Sequence, residues 1–227
     1  MLEVGAGLGS LTVALADLGA EVLALELDRT LEPALREVLQ GRPNVRILVA
    51  DALRLDWPNV LRGGPWTMAS NLPYNVAVPV VMDLLDRAPQ VRRLVVMVQR
   101  EVGERLAAPP GHDAYGAPSV HVAYHCRTEV LRRVSPSVFW PEPTVESVVM
   151  ELDRLEEPSV RVAHDRLLRV VDEGFAQRRK TMANALVRLG RMREEAIELL
   201  QRCGADPGAR AESLSLEQFA CLAEGAL

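Results

Sequence analysis

Leu2-Glu3-Val4-Gly5-Ala6-Gly7-Leu8-Gly9 is a short apolar run that breaks into three alternating glycines, and the amphipathic stretch 10–18 follows at once. A strand feeding a glycine-rich turn and then a helix is the first unit of a doubly wound α/β sheet. Glycine at such a turn lets the backbone come close to a ligand. The same rhythm continues downstream. Residues 1–4, 21–25, 45–49, 67–70 and 91–98 read as strands, with helical spacing over 10–18, 31–40 and 76–86. Alternating β and α units predict a parallel sheet covered by helices on both faces. Beyond Gln99 the pattern changes: 119–124, 128–134 and 145–152 read as strands joined by turns, which predicts an antiparallel finish to the sheet.

Leu155-Glu156-Glu157-Pro158-Ser159 is a polar break that sets the expected boundary between a sheet domain, 1–155, and a helical domain, 160–227. In the second domain 164–177, 181–189, 193–203 and 216–223 carry helical patterns, and Ser215 with Gln218 suits a capping box. The composition, 48% hydrophobic and 25% charged over 227 residues, excludes a disordered or fibrous chain. No run of about 18 uncharged apolar residues predicts a membrane span, and Met1 leads straight into a strand pattern rather than a leader peptide. Three cysteines without C-x-x-C spacing argue against a disulfide scaffold or zinc site and fit a reducing cytoplasm.

Charge is unevenly spread. The chain carries −5 overall, yet the segment 161–193 has nine basic and three acidic residues, a local +6 that leaves −11 for the rest. Such asymmetry is what an anion-binding face needs. Arginine supplies 25 of the 26 basic residues, Lys180 being the exception, a bias that a G+C-rich genome explains.

Three further positions stand at predicted strand ends. Glu26 follows Gly9 by seventeen residues and can accept hydrogen bonds from both ribose hydroxyls of a nucleotide-like cofactor. The G-x-G-x-G spacing disfavours the pyrophosphate-binding version of the turn, but leaves both a nicotinamide cofactor and S-adenosylmethionine open. Asp51 could accept from an adenine amino group or simply cap the next helical turn. Asn71-Leu72-Pro73-Tyr74 narrows the class. The adenine N6 lone pair is delocalised into the ring, so acceptors aimed at N6 favour a tetrahedral nitrogen and prepare it for attack on a sulfonium methyl. The Asn71 side-chain oxygen and the Leu72 carbonyl suit that task, and Tyr74 can stack on the base. His121 and His125, four apart on a predicted strand, read as structural rather than as metal ligands.

These motifs together resemble the KsgA-type small-subunit ribosomal RNA adenine-N6,N6-dimethyltransferases. Glu3–Gly9, Glu26-Leu27-Asp28 and Asp51-Ala52 resemble the family's cofactor motifs, and Asn71-Leu72-Pro73-Tyr74-Asn75 its catalytic motif. Gln99-Arg100-Glu101-Val102, Ser135-Pro136-Ser137-Val138-Phe139 and Gln177-Arg178-Arg179-Lys180 are similarly placed. The resemblance implies a Rossmann-like S-adenosylmethionine-dependent fold with a small all-helical domain. It also implies cofactor contacts at Gly5, Gly7, Glu26, Leu27, Asp51, Ala52 and Asn71, and a catalytic set of Asn71, Leu72, Pro73, Tyr74 and Phe139. Tyr74 and Phe139 then sandwich a flipped adenine, while Arg178, Arg179 and Lys180 meet RNA phosphate. The expected partner is small-subunit rRNA in a pre-ribosomal particle, bound by a cytoplasmic monomer with no metal and no membrane. Rival readings are a large-subunit rRNA methyltransferase of the macrolide-resistance type and a non-catalytic assembly factor. Two departures stand out: Trp140 follows Phe139 where the family has a small residue, and the family's segment before the first strand, with its aromatic-x-Asn-Phe-Leu motif, has no counterpart in these residues. The second departure carries an expectation of weakened catalysis.

Overall fold

The computed structural model describes residues 1–226. The chain divides into two compact units, one formed by Met1–Gly103 and Arg127–Arg154, the other by Glu104–Cys126 and the residues from Leu155 onward. The helical unit therefore takes in a segment on the N-terminal side of the 155–159 break as well as everything beyond it.

The first unit is built on a seven-stranded sheet. In chain order its elements are β1 (Leu2–Val4), α1 (Ser10–Asp17), β2 (Val22–Glu26), α2 (Glu32–Val38), β3 (Val45–Val49), α3 (Trp57–Val60), β4 (Trp66–Asn71), α4 (Ala77–Arg87) and β5 (Val91–Gln99). Helix α5 (Arg100–Ala107) leads out, and β6 (Cys126–Val134) and β7 (Ser147–Arg154) complete the sheet, whose strand order is β3-β2-β1-β4-β5-β7-β6. Strands β1 to β5 pair in parallel, and β7 lies antiparallel to β5 with Gln99 opposite Ser147. Strand order reverses at β1, between β2 and β4, and the crevice at such a switch point is where this architecture places ligands.

The elements follow from local chemistry. All five residues of β2 are buried, as expected of a strand covered on both faces. Helix α4 buries Ala77, Val80, Val81, Leu84 and Leu85, one continuous stripe at helical spacing. The Arg154 guanidinium donates to the carbonyls of Val91, Leu85 and Leu84 at 3.0, 3.0 and 3.1 Å, tying the end of β7 to the start of β5 and the last turn of α4.

The second unit comprises α6 (Ala117–His125), α7 (His164–Phe175), α8 (Met182–Arg188), α9 (Arg193–Arg202) and α10 (Leu216–Ala226) around Leu167, Val170, Leu186, Leu200 and Phe219, all wholly buried. The capping box before α10 is present: Gln218 N–H donates to Ser215 Oγ at 3.3 Å and Ser215 N–H to Gln218 Oε1 at 3.0 Å.

Two expectations fail. Residues 119–124 are helix, inside α6, not strand. Pro118 occupies the first turn, the Gly116 N–H donates to Ser119 Oγ at 3.0 Å, and Val120 and Tyr124, one turn apart, enter the helical core. A short apolar run buried on most sides cannot be told from a strand by periodicity alone. The cysteines also pair against expectation: Cys203 and Cys221 form a disulfide joining the end of α9 to α10, with Cα atoms 5.7 Å apart, and Cys126 is buried as a thiol.

Candidate active site

The glycine turn after β1 is held tightly. The Gly5 and Ala6 N–H groups both donate to the Leu25 carbonyl, at 2.8 and 3.0 Å. Gly5 has φ +78°, and a Cβ there would stand 3.2 Å from Pro73 Cδ, so glycine is required both by conformation and by contact with the Asn71–Tyr74 turn. Gly7, at φ +56°, has no atom within 4 Å of where a Cβ would sit. Its bare backbone faces open space.

That space is a cavity of about 330 Å³ at the C-terminal ends of the parallel strands. Gly5, Gly7, Glu26, Leu27, Asp51, Ala52 and Pro73 line it, with Asn75, Val76 and Val80 from the turn and first half of α4. Its wall thus gathers six of the seven predicted cofactor positions. Asn71 is not among the lining residues; it is exposed at the tip of β4. A larger hollow of about 480 Å³ lies at the opposite ends of the strands, between Glu21, Arg46 and Trp66, and contains none of the candidate residues. Switch-point chemistry belongs to the smaller one.

Glu26 is 8% exposed and its carboxylate accepts three backbone N–H groups: Gly7 to Oε2 at 2.7 Å, Leu27 and Asp28 to Oε1 at 2.8 and 2.9 Å. Oε2 retains acceptor capacity for a ligand hydroxyl. Asp51 caps the turn that follows it, accepting from the Leu53 N–H at 3.0 Å, while Oδ2 stands 3.5 Å from Arg54. Asp51 thus caps the turn and also lines the cavity.

Glu3 opens the Glu3–Gly9 motif but does not line the cavity. It is 2% exposed and accepts from Thr12 Oγ1 at 2.6 Å. Burial pushes its carboxyl up to about 7, against the Thr12 hydrogen bond and with a smaller contribution from the nearby Glu26 charge. Among the cavity residues that sequence reasoning left unassigned, Val76 and Val80 stand one helical turn apart just after the Asn-x-Pro-Tyr turn, and that spacing was the available signal.

The catalytic candidates lie at the same end of the sheet. Leu72 is buried and its N–H donates to the Met97 carbonyl at 3.1 Å. The Pro73 carbonyl accepts from Val76 N–H at 3.1 Å, closing the turn. Tyr74 is 39% exposed, with its hydroxyl 3.4 Å from Ser147 Oγ at the start of β7. Phe139, half-buried, is on the segment that leads from β6 into β7, and the Trp140 side chain beside it is 97% exposed.

In the helical unit, Arg178, Arg179 and Lys180 occupy an exposed turn between α7 and α8, not a helix. Arg178 stands 4.0 Å from Glu212 and lines a hollow of about 510 Å³ with His112 and Ser213; among the described residues no hydrogen bond or ion pair engages the Arg179 or Lys180 side chain. By contrast Arg188 bonds Glu173, Arg191 the Gly225 carbonyl at 2.5 Å, and Arg193 the Asn184 side chain at 2.9 Å. The first cluster faces water while the second braces helices.

Sheet order, glycine turn and switch-point cavity together define a Rossmann-like methyltransferase. Residues 1–226 match the sequence profile of the family described as ribosomal RNA adenine dimethylase, and the chain belongs to that family. Similar proteins include the ribosomal RNA small subunit methyltransferases A of Moorella thermoacetica, 41% identical over 98% of this chain and 81% of that protein, and of Clostridium botulinum strain Loch Maree, 39% identical over 99% and 82%. Among solved structures, a dimethyladenosine transferase from Plasmodium falciparum superposes with TM-score 0.80 at 23% identity, covering 97% of this chain and 87% of that one. The 23S rRNA methyltransferase ErmE superposes with TM-score 0.73 at 27% identity, covering 99% and 89%.

Proposed function

We propose that this chain transfers methyl groups from S-adenosylmethionine to N6 of two adjacent adenosines in a hairpin loop near the 3′ end of small-subunit rRNA, during maturation of the ribosomal particle. The observation that carries the reading is the cavity walled by Gly5, Gly7, Glu26 and Asp51 and adjoining the Asn71–Tyr74 turn through Pro73. The relatives' small-subunit designation, at 39–41% identity, supports the choice of rRNA.

The residues present fit the donor. The open space at Gly7 admits a ligand against bare backbone, Glu26 offers a remaining acceptor for ribose hydroxyls, and Asp51 offers one for an adenine amino group. When bound, the cofactor supplies a methyl group on a positively charged sulfur. The chain's own work is positioning: Tyr74 and Phe139 hold the target base by stacking, and the Asn71 side-chain oxygen and Leu72 carbonyl accept from N6. Those two acceptors localise the nitrogen lone pair. The N6 proton, made acidic once the nitrogen is alkylated, leaves without a tuned general base. Loop adenosines suit such a pocket because unstacking them costs less than flipping a paired base. The protein acts in this reading as a cytoplasmic monomer.

Mass spectrometry of rRNA after incubation of unmethylated small subunits with labelled cofactor tests it. The expected product is N6,N6-dimethyladenosine at two adjacent positions of small-subunit rRNA. Labelling of large-subunit rRNA instead, or binding to the particle with no methyl transfer, overturns the reading in favour of the resistance-type enzyme or an assembly factor.

A further inference from the structure

Three of the chain's four histidines converge on one spot within the helical unit, away from every residue assigned above. His121 and His125 are four apart on α6, which puts both on one face of a helix, and His164 is the first residue of α7. On a strand that spacing would set the two rings too far apart along the chain to share a site; on the helix it brings them together. Ring centroids are 5.5 Å apart for His121 and His125, and 4.7 Å for each of them with His164. One ring nitrogen from each lies within 4.8 Å of the others.

The surroundings hold the three in place. Tyr124 Oη donates to the Val162 carbonyl at 3.0 Å, Ser159 Oγ to the Ala123 carbonyl at 2.7 Å, and Leu155 N–H to the His125 carbonyl at 2.9 Å. These bonds strap the segment before α7 onto the end of α6, and so deliver His164 to the other two. His121 is 7% exposed, and the Tyr124 ring lies 4.9 Å from those of both His125 and His164.

With one ring nitrogen from each of three histidines gathered in so small a space, the cluster offers the imidazole donors that a borderline divalent cation takes. The neutral ring keeps one nitrogen lone pair, which makes it a metal ligand. We propose that His121, His125 and His164 form a binding site for a divalent transition-metal ion, Zn²⁺ by preference, that staples α6 to α7. Tetrahedral zinc holds imidazole nitrogens at roughly 2.0–2.1 Å. Closing from the observed spacing needs shifts on the order of 1 Å, within reach of side-chain rotation. The bland alternative is a packed cluster of rings with no ion.

The test uses the full chain after dialysis against a chelator. Titration with ZnCl₂ against a chromogenic competitor is expected to show one equivalent bound, with Kd below about 1 µM at pH 7.5. His125→Gln and His164→Gln should each weaken binding by roughly 100-fold. Co²⁺ should give the visible bands of a four-coordinate site without a thiolate charge-transfer band, which separates this site from Cys126. Should either variant fail to fold, histidine ring resonances of the unaltered protein decide: Zn²⁺ should shift those of His121, His125 and His164 and leave His112 in place. Absence of stoichiometric binding, binding that survives both substitutions, or unmoved resonances for the three histidines overturns the proposal.

Discussion

Asn71 and Glu3 show how differently two polar residues on neighbouring strands behave. Asn71 is exposed at the tip of β4, where its side chain remains available to a substrate. Asn71→Ala should remove one preorganised acceptor and slow methyl transfer on the order of 100-fold, by analogy with loss of a donor to a developing charge. Cofactor affinity should change far less, and single-turnover kinetics beside a binding titration separate the two; a near-normal rate removes Asn71 from the chemistry. Glu3 is buried beneath the glycine turn, and its carboxyl is pushed up to about 7 by burial. The folded state therefore holds a proton that the unfolded chain, at its ordinary value near 4.5, has already released. The stability that Glu3 contributes is fully present below the unfolded value and is lost as pH rises through about 7, with a total span on the order of 3 kcal/mol. Glu3→Gln keeps the Thr12 contact but cannot ionise, so its unfolding free energy should lose most of that slope between pH 5 and 8. Denaturant melts at four pH values would show it, and parallel slopes for both proteins would place the titration elsewhere.

At the level of elements, the parallel half of the sheet was legible because each strand is a short apolar run between turn residues, and burial on both faces demands that composition. Glu26 and Asp51 line the switch-point cavity because strand ends in this architecture face one crevice, while Asn71 is exposed at the tip of β4 outside that lining. Helix α6 was not legible: Val120, Val122 and Tyr124 alternate with other residues as a strand would, and what makes them helical is the Gly116–Ser119 bond and a core contributed from more than forty residues downstream. The histidine cluster and the Cys203–Cys221 pair share that cause, since both join positions set together only by helix packing. Gly103 in α5 makes the same point about packing against local preference. A Cβ there would meet Val148 Cγ2 at 2.4 Å, a branched side chain at the start of β7. Alanine is the better helix former by about 1 kcal/mol, but overpacking costs roughly 1–3 kcal/mol and should win. Gly103→Ala is expected to lower the melting temperature by several degrees, read by calorimetry, and an unchanged or higher midpoint would show that β7 yields without strain.

For the whole molecule, the net charge of −5 conceals a division of labour. A uniformly acidic enzyme would repel a polyphosphate substrate, whereas here the helical segment 161–193 is locally basic. Within it Arg188, Arg191 and Arg193 brace helices, whereas Arg179 and Lys180, with Arg178 only loosely paired, face water together on one turn, and Arg161 and Arg169 are exposed elsewhere in the segment. Phosphate contacts release condensed counterions, so each one steepens the fall of affinity with salt by roughly 0.7–0.9 of a unit on a log–log plot. Replacing Arg178, Arg179 and Lys180 together by glutamine should flatten that slope by about two units and weaken binding to rRNA or the small subunit. The cavity proposed for S-adenosylmethionine is lined wholly by residues of the other unit, so affinity for that cofactor should stay as it was. Measuring both quantities across salt concentrations distinguishes an electrostatic contact from general damage: a lost phosphate contact changes the RNA slope alone, while misfolding lowers both affinities. An unaltered salt slope in the triple variant would mean that this turn is merely hydrated and that RNA is held by another face.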